Sequence, residues 1–409
     1  MEQRRNKPLR ILVVISVYPP HYVGGYELGC QEVVERLKAR GHRVLVLTST
    51  FGIGKKKIES DVWRVLIAFI NERFDNKAKY LWYLIRREIH NRFYFSKAVK
   101  EFAPDVIYIW AVLHLSSSVM FWAEKTGRRV VYFISDKWLA SWRNEIWYRL
   151  WNGDGQSIQR YFKKSVAKAL DMIGLVNTSV PSFRDVGFCS EYIEQTTIES
   201  GVAVERPSVI HWGVDLSKYK SNNYGNRKIL YAGQCMPHKG IETAIRSIYL
   251  LKTKFCINEV SMTVVGGSLD SQYYEKIIWL SKELGLQNSI SFLGMVSREE
   301  VREMMQQHGI FLFPVIWDEP FSIALLEAMA SGMVVVGTST GGTKEILKHN
   351  INALIFERGN DEECARCIKL LIEDNALYER IRKKSLEDVK AFHIEKMVDK
   401  IEEQLYGEV

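Results

Sequence analysis

Short apolar segments recur along the whole chain, and amphipathic segments of helix length lie between them. In the first half the apolar segments are residues 11–16, 44–48, 106–110, 130–134 and 172–176. In the second half they are residues 229–233, 262–265, 290–293, 310–314, 334–337 and 353–356. Most are unbroken runs, which is typical of parallel strands that helices cover on both faces. Helical patterns at 27–40 and 241–252 fit this order, so we predict an α/β fold with doubly wound parallel sheets.

The length of the chain predicts two domains. A chain of 409 residues is too long for one ordinary core and fits two domains of about 200 residues each. The join is predicted within 210–215, because the stretch 217–226 that follows is polar and turn-rich. We therefore expect Rossmann-like domains over residues 1–210 and 211–390.

Composition favours a globular protein of the cytoplasm. Hydrophobic residues make up 47% of the chain and charged residues 25%, which is unlike a disordered protein. No run of about 18 apolar residues predicts a membrane-spanning helix. Residues 1–10 are polar and basic and lead directly into the first strand, unlike a signal peptide. Six cysteines without metal-binding spacing fit a reducing compartment.

Positive charge is concentrated in the first half. Residues 1–210 have a net charge of +11 and the remainder −3, and eight of the eleven tryptophans lie in the first half. The segments 77–100 and 138–151 are both basic and aromatic, which suits an acceptor channel or a peripheral contact with the inner face of a membrane. They equally fit amphipathic helices packed on the sheet with a solvated basic side. Nucleic acid is not an expected partner, because no binding motif accompanies the charge.

Two carboxylates flank the start of a predicted helix over residues 323–330. Ser322 is a good N-cap and Gly332 a good stop, so Glu319 precedes the helix and Glu327 lies inside it. A ligand at this helix terminus would meet both carboxylates. Its phosphates would meet free backbone N–H groups, and the segment that supplies them is Phe321, Ser322 and Ile323. This geometry suits a sugar nucleotide, whereas a plain strand-helix-strand unit would leave both glutamates solvated.

The run from Glu319 through Glu327 to Gly341, Gly342 and Glu345 resembles the retaining nucleotide-sugar glycosyltransferases of family 4. The family pattern is Glu, seven residues, Glu, then a Gly-x-Pro-Val-Val strand and a Gly-Gly turn ending in Glu; Met333 stands here in place of the Pro. The resemblance implies the GT-B fold, in which two Rossmann-like domains face each other across a cleft. It also implies that the segment 391–409, with a helix at 393–405, crosses back to the first domain.

The resemblance further assigns the donor-binding residues of the second domain. It implies that Gln234 and Lys239 hold the diphosphate, Glu319 the hydroxyls of the donor sugar and Glu327 the ribose. A glycine turn at Gly266 and a base-contacting loop at Met295 complete the expected set. Gln234 stands where the family usually has Arg, so His238 is a candidate substitute cation, although an ordinary exposed loop histidine is the simpler interpretation.

In the first domain the resemblance places Gly24 and Gly25 beside the donor pyrophosphate, and Ser135 and Asp136 near the reacting sugar carbon. Family members commonly have His where Ser135 stands. The expected catalytic residues are therefore Glu319, Asp136 and Ser135. His114 is a further candidate for the missing histidine, and a partly buried, satisfied histidine is the alternative.

The function implied is a metal-independent, retaining transfer of a sugar from a nucleotide diphosphate, with UDP the commonest nucleotide in the family. The acceptor would be a hydroxyl of a glycan, a lipid-linked molecule or a small molecule. No Asp-x-Asp motif occurs, so no metal is expected, and no cofactor is needed because the nucleotide sugar is a substrate. The departures at Ser135 and Gln234 keep open a nucleotide-sugar-binding protein with reduced or lost transferase activity. A phosphorylase or epimerase with the same fold fits the motif less well.

Overall fold

The computed structural model describes residues 7–22, 24–69, 74–112, 114–152, 159–172, 174–176, 180–221, 225, 227–268 and 270–407. Two compact units are present. The first comprises Met1–Ile210 with Val398–Val409, and the second comprises His211–Met397.

The first unit is built on a parallel sheet. Its strands are β1 (Arg10–Ile15), β2 (Arg43–Ser49), β3 (Lys57–Ile58), β4 (Val62–Leu66), β5 (Val106–Ala111), β6 (Arg129–Ile134), β7 (Asp185–Phe188) and β8 (Arg206–Val209). Their order is β3-β4-β2-β1-β5-β6-β7-β8, and β3 runs antiparallel to β4. The apolar residues of β1 and β5 are almost fully buried, as expected for central strands covered on both faces. The strand order reverses between β1 and β5, which is where doubly wound sheets bind ligands.

Helices connect these strands. They are α1 (Gly25–Ala39), α2 (Lys77–Phe102), α3 (Ser118–Lys125), α4 (Ile146–Asn152), α5 (Gln159–Met172) and α6 (Glu191–Glu199). Asn76 caps α2 by accepting from the Ala78 N–H, and Ser190 caps α6 by accepting from the Ile193 N–H. Each cap satisfies a backbone donor that the helix itself leaves free.

The second unit has a wholly parallel sheet within the described residues. Its strands are β9 (Lys228–Ala232), β10 (Ser261–Val265), β11 (Ile290–Gly294), β12 (Ile310–Phe313), β13 (Val334–Gly337) and β14 (Ala353–Ile355). The order is β11-β10-β9-β12-β13-β14, which reverses between β9 and β12. The helices are α7 (Ile241–Thr253), α8 (Ser271–Glu283), α9 (Arg298–Gln307), α10 (Ile323–Ala330), α11 (Asp361–Glu373), α12 (Asn375–Asp388) and α13 (Ile394–Tyr406).

The end of α13 belongs to the first unit. Glu402 accepts from Arg40 and pairs with the ring Nε2 of His42, both at 2.7 Å. Gln404 donates to Ser208 at 3.3 Å and its backbone carbonyl accepts from Arg129. The last turns of α13 therefore contact the end of α1, the start of β2, and strands β6 and β8 of the first sheet.

Ten of the eleven predicted strands are present, with ends that differ by one residue or less. The predicted strand 172–176 is wrong: Met172 ends α5, residues 174–176 form a turn, and residue 173 lies outside the described part. The prediction also missed β3, which has only two residues, and β4, β7 and β8. In β4 the run is interrupted by Arg64, whose guanidinium is buried and donates to the Tyr18 carbonyl at 2.8 Å. β7 and β8 are short segments that contain Gly187 and Pro207, residues that weaken a strand pattern.

Candidate functional site

The loops that follow β9 and β12 bring Lys239 and Glu319 together where the strand order of the second sheet reverses. The Lys239 Nζ lies 2.7 Å from Glu319 Oε2. The same oxygen accepts from the Trp317 indole N–H at 2.6 Å, and the Lys239 Nζ lies 5.0 Å from the centre of the Trp317 ring. Residues 80 positions apart thus form one cluster at the edge where parallel sheets bind ligands.

The backbone around Lys239 permits little variation. Residues Pro237–Lys239 form a single 3₁₀ turn, and Gly240 follows with φ of +71°. A Cβ at Gly240 would lie 1.8 Å from the Pro314 carbonyl oxygen, at the end of the neighbouring strand. Glycine is therefore required both for the left-handed conformation and for the close approach of the two loops.

The Gly341–Gly342 turn fixes the backbone of Glu319. The Gly342 N–H donates to the Glu319 carbonyl at 2.8 Å. Gly341 has φ of +52°, and a Cβ there would lie 2.4 Å from the same oxygen. The two glycines and Glu319 belong to one sequence motif, and in the structure they are in direct contact. This contact fixes the backbone from which the carboxylate projects.

Helix α10 begins and ends as predicted. Ser322 accepts from the Leu325 N–H at 3.4 Å, and Gly332 follows the helix in the left-handed conformation. Phe321 is buried and stacks on the His211 ring, whereas Ile323 is half-buried. The amides of this first turn lie at the positive end of the helix dipole.

Glu327 sits on α10 within a polar cluster. Its Oε1 accepts from the Tyr219 hydroxyl at 2.7 Å and from Arg298 at 3.0 Å. Burial, together with the Glu327 carboxylate, raises the pKa of Tyr219, so the phenol stays protonated and acts as a donor. The carboxylate is thus held in one orientation by two donors.

Three strand ends meet at glycines beside Gln234. The Gly266 N–H donates to the Gly294 carbonyl at 2.8 Å, and a Cβ at Gly266 would lie 1.9 Å from the Gly233 carbonyl oxygen. Gln234 is half-buried, and its carbonyl accepts from the Tyr231 hydroxyl. Met295 follows Gly294 and is 87% exposed, which leaves its side chain available for a flat ligand such as a base.

His238 lies beside Trp317 in the same cluster. Its ring packs edge-on against Trp317 with centroids 4.9 Å apart. Burial and the neighbouring Lys239 charge lower the pKa of His238, so the ring is neutral at pH 7. The positive charge of this loop therefore resides on Lys239.

In the first unit, the predicted residues follow β1 and β6. The Gly24 N–H donates to the Glu27 carboxylate at 2.9 Å, and α1 begins at Gly25. Ser135 is buried, and Asp136 accepts from the Trp138 N–H at 2.7 Å. Burial raises the pKa of Asp136, and this carboxylate in turn contributes to the raised pKa of Tyr26 in the first turn of α1. Asp136 and the glycine loop thus both follow the carboxyl ends of strands in the first sheet.

The aromatic segment 138–151 is packed inside the first unit. Trp138, Trp142 and Trp147 are each no more than 5% exposed. These three indoles of the segment are therefore not exposed for a peripheral contact with a membrane. The segment 77–100 behaves differently, because α2 keeps an exposed apolar stripe formed by Leu81, Trp82, Ile85, Ile89 and Phe93.

Two family profiles match consecutive parts of the sequence. Residues 23–218 match "Glycosyltransferase Family 4", and residues 215–388 match "Glycosyl transferases group 1". The chain belongs to the group 1, family 4 glycosyltransferases. An uncharacterized glycosyltransferase of Methanocaldococcus jannaschii is 25% identical over 93% of both chains. The amylovoran biosynthesis glycosyltransferase AmsK of Erwinia amylovora is 25% identical over 44% of this chain and 45% of its own.

Solved structures show that this glycosyltransferase has the GT-B fold. Anabaena HepE, solved in complex with UDP and glucose, gives a TM-score of 0.68 at 21% identity, over 97% of this chain and 99% of that chain. Sucrose-phosphate synthase of Thermosynechococcus elongatus gives a TM-score of 0.72 at 18% identity, over 97% and 98%.

The glycosyltransferase motifs in the sequence did not reveal every residue of the cluster. Trp317, Tyr219 and Arg298 hold the two predicted glutamates, yet none was among the predicted site residues. Trp317 lies only two residues before Glu319, which was a usable signal. Tyr219 lies in a turn-rich segment 108 positions from Glu327, and nothing in its local sequence indicates that contact.

Proposed function

We propose that the protein is a retaining, metal-independent glycosyltransferase that uses a UDP-sugar as donor. The observation that carries this proposal is the contact between Lys239 and Glu319 where the second sheet reverses its order. Lys239 supplies a cation for the diphosphate, and Glu319 beside it supplies an acceptor for the hydroxyls of the sugar. Support for UDP comes from HepE, which was solved with UDP and with UDP-glucose.

In the proposed complex, Lys239 and the first-turn amides of α10 neutralise the diphosphate, as helix termini do at many phosphate sites. Glu319 accepts hydrogen bonds from hydroxyls of the donor sugar, and Glu327 accepts from the ribose. Because Tyr219 and Arg298 already share Glu327 Oε1, the ribose would use the remaining lone pairs of the carboxylate.

The transfer step breaks the bond between the sugar C1 and the leaving phosphate oxygen. A bond forms from C1 to the acceptor oxygen on the same face, and the acceptor proton passes to the leaving phosphate oxygen. The products are a glycoside and UDP. Asp136 and Ser135 act in this proposal on the positive charge that develops on the sugar ring. The acceptor is a hydroxyl of a glycan, a lipid-linked molecule or a small molecule.

A thermal-shift screen of nucleotide sugars, run in excess chelator, tests the donor assignment. A donor at 100 times its Kd should stabilise the protein by about 2.7 kcal/mol. We expect a UDP-sugar to give the largest shift, and Glu327→Gln and Lys239→Ala to reduce it. The proposal fails if no nucleotide sugar stabilises the protein, or if a response requires a divalent metal.

A second candidate is a nucleotide-sugar-binding protein that no longer transfers sugar. It is favoured by Ser135 and Gln234, which replace the usual His and Arg of the family. Donor hydrolysis in the absence of acceptor distinguishes the two. UDP release above the uncatalysed rate supports the enzyme, whereas tight donor binding without turnover supports the binding protein.

We also propose that the exposed stripe of α2 contacts an anionic membrane surface. Among the described residues, no helix is long and apolar enough to cross a bilayer. The α2 stripe instead combines exposed apolar residues with cations: Arg86 lies over the Trp82 ring at 5.6 Å, and Lys56 lies over Tyr94 at 4.8 Å. Apolar side chains flanked by Lys and Arg favour the interface of acidic lipids.

Sedimentation with vesicles of phosphatidylcholine and phosphatidylserine tests this contact. Trp82→Ala with Phe93→Ala should abolish binding, and rising salt should weaken it, since exposed charges are screened over about 10 Å at 0.1 M. Trp279→Ala is the matched control, because Trp279 is 60% exposed and Trp82 is 62% exposed. Equal binding by all variants would leave α2 without a membrane role.

A further inference from the structure

Trp317 contacts both members of the Lys239–Glu319 pair, and the transfer step proposed above gives it no role. Its indole N–H donates to Glu319 Oε2 at 2.6 Å, and the Lys239 Nζ lies over its ring, 5.0 Å from the centre. The Lys239 Nζ also lies 2.7 Å from the same Oε2. One carboxylate oxygen thus has two donors, and these two donors contact each other. Whatever holds this oxygen also decides where the rest of the carboxylate points.

The indole itself is held in place. The Trp317 carbonyl accepts from the hydroxyl of Thr340, a buried side chain, at 2.8 Å. The N–H of Ile316, the preceding residue, donates to the His238 carbonyl at 2.9 Å. The ring of His238 packs edge-on against the indole. The indole N–H therefore has a fixed direction, which is the property required of a group that orients a neighbouring side chain.

The two donors on Glu319 differ in what they do when a ligand binds. Lysine is a flexible cation with three donors, and the proposed function assigns Lys239 to the diphosphate. Once a diphosphate is bound, the Lys239 ammonium is divided between two anionic groups. An indole has a single N–H on a rigid ring, so Trp317 has no second group to turn to. Trp317 is therefore the partner that stays on Glu319 when Lys239 engages the phosphates.

We infer that Trp317 is a positioning residue for the donor sugar and that it acts through Glu319. Its N–H holds Oε2 and leaves Oε1 to accept from the sugar hydroxyls. Its ring attracts the Lys239 ammonium and keeps this cation beside the carboxylate in the free protein. The inference rests on the proposed function, because it requires a donor sugar on Glu319 and a diphosphate on Lys239.

Calorimetric titration of Trp317→Phe tests the inference, because Phe keeps an aromatic face for Lys239 but has no N–H. The probes are UDP, UDP-glucose, UDP-galactose and UDP-N-acetylglucosamine. For the UDP-sugar that the wild type binds most tightly, the ratio of the Kd of UDP to the Kd of the UDP-sugar should fall about tenfold, whereas the Kd of UDP should change less than about threefold. Trp279→Phe is the matched control, since this exposed tryptophan lies on α8 of the same unit, and it should leave every Kd unchanged.

A double variant separates positioning from a general structural role. If Trp317 acts through Glu319, adding Trp317→Phe to Glu319→Gln should lower the Kd ratio no further. Equal losses in both backgrounds would overturn the inference, as would an unchanged ratio in Trp317→Phe or a loss of UDP affinity as large as that of Lys239→Ala. A wild type that binds none of these probes would reject the proposed function and the inference with it. Tight binding of a UDP-sugar that Trp317→Phe leaves intact would reject the inference alone.

Discussion

Replacing Glu319 with Gln should separate recognition of UDP from recognition of its sugar. In this structure the Glu319 carboxylate engages Lys239, the cation that the proposed function assigns to the diphosphate. The two side chains are 12% and 21% exposed. Their interaction therefore lies between about 1 kcal/mol for an exposed ion pair and about 3 kcal/mol for a charged hydrogen bond. Glu319→Gln releases Lys239, so UDP should bind as tightly as to the wild type, or up to about tenfold more tightly.

The nucleotide sugar should respond in the opposite direction. The ratio of the Kd of UDP to the Kd of the nucleotide sugar measures how much the sugar adds to binding. This ratio should fall about ten- to hundredfold in Glu319→Gln, because the sugar hydroxyls lose a charged acceptor. Lys239→Ala should instead weaken UDP and the nucleotide sugar by similar factors. Calorimetric titration of both ligands measures these changes. Asp318→Asn is the matched control, since it removes a carboxylate one residue away that pairs with Arg358. If Glu319→Gln weakens UDP as much as Lys239→Ala does, the assigned roles of the pair are incorrect.

Four further substitutions probe the site and its support. Gln234→Arg restores the cation usual in the family and should leave UDP affinity unchanged or raise it up to about tenfold in calorimetry; a large loss would give Gln234 a role of its own. Gly266→Ala should cost more unfolding free energy in urea titration than Gly285→Ala. At Gly285 only about 1 kcal/mol of backbone strain is expected, since a Cβ there meets nothing within 4 Å; equal costs would contradict the clash at Gly266. Burial raises the pKa of Asp136. If transfer needs the ionised carboxylate, the transfer rate should therefore begin to fall, as the pH is lowered, at a higher pH than the ordinary pKa of an aspartate would give. Asp136→Asn should remove that decline from the pH–rate profile, and Ser135→Ala should cost tenfold or less in rate; an unaltered profile in Asp136→Asn would take this carboxylate out of the mechanism.

The central strands were predictable because burial on both faces demands unbroken apolar runs. The run at β13 and the cap and stop signals of α10 located their elements to the residue. β7 and the edge strand β8 were not predictable in this way, since each has only four residues and they contain Gly187 and Pro207. The predicted strand 172–176 failed because the end of α5 and the turn after it form an apolar run of strand length.

The candidate site likewise contains residues that local motifs predict and residues that only the fold reveals. Glu319, Glu327 and Lys239 were found from local motifs, because each occupies a loop or helix end with a recognisable pattern. Their partners Tyr219 and Arg298 come from other elements, and only the fold determines which elements meet. Position in the sequence also failed to separate the buried indole of Trp142 from the exposed indole of Trp82.

The return of the last helix to the first unit has a consequence for biosynthesis. Glu402 and Gln404 complete contacts with Arg40, His42 and Ser208, yet they are synthesised after the entire second unit. Domains usually fold in the order in which they leave the ribosome. Here the amino-terminal unit reaches its final set of contacts only after the whole second unit has been synthesised. A polypeptide that ended between residues 356 and 397 would carry every strand of both units but would leave Arg40 and His42 without these partners.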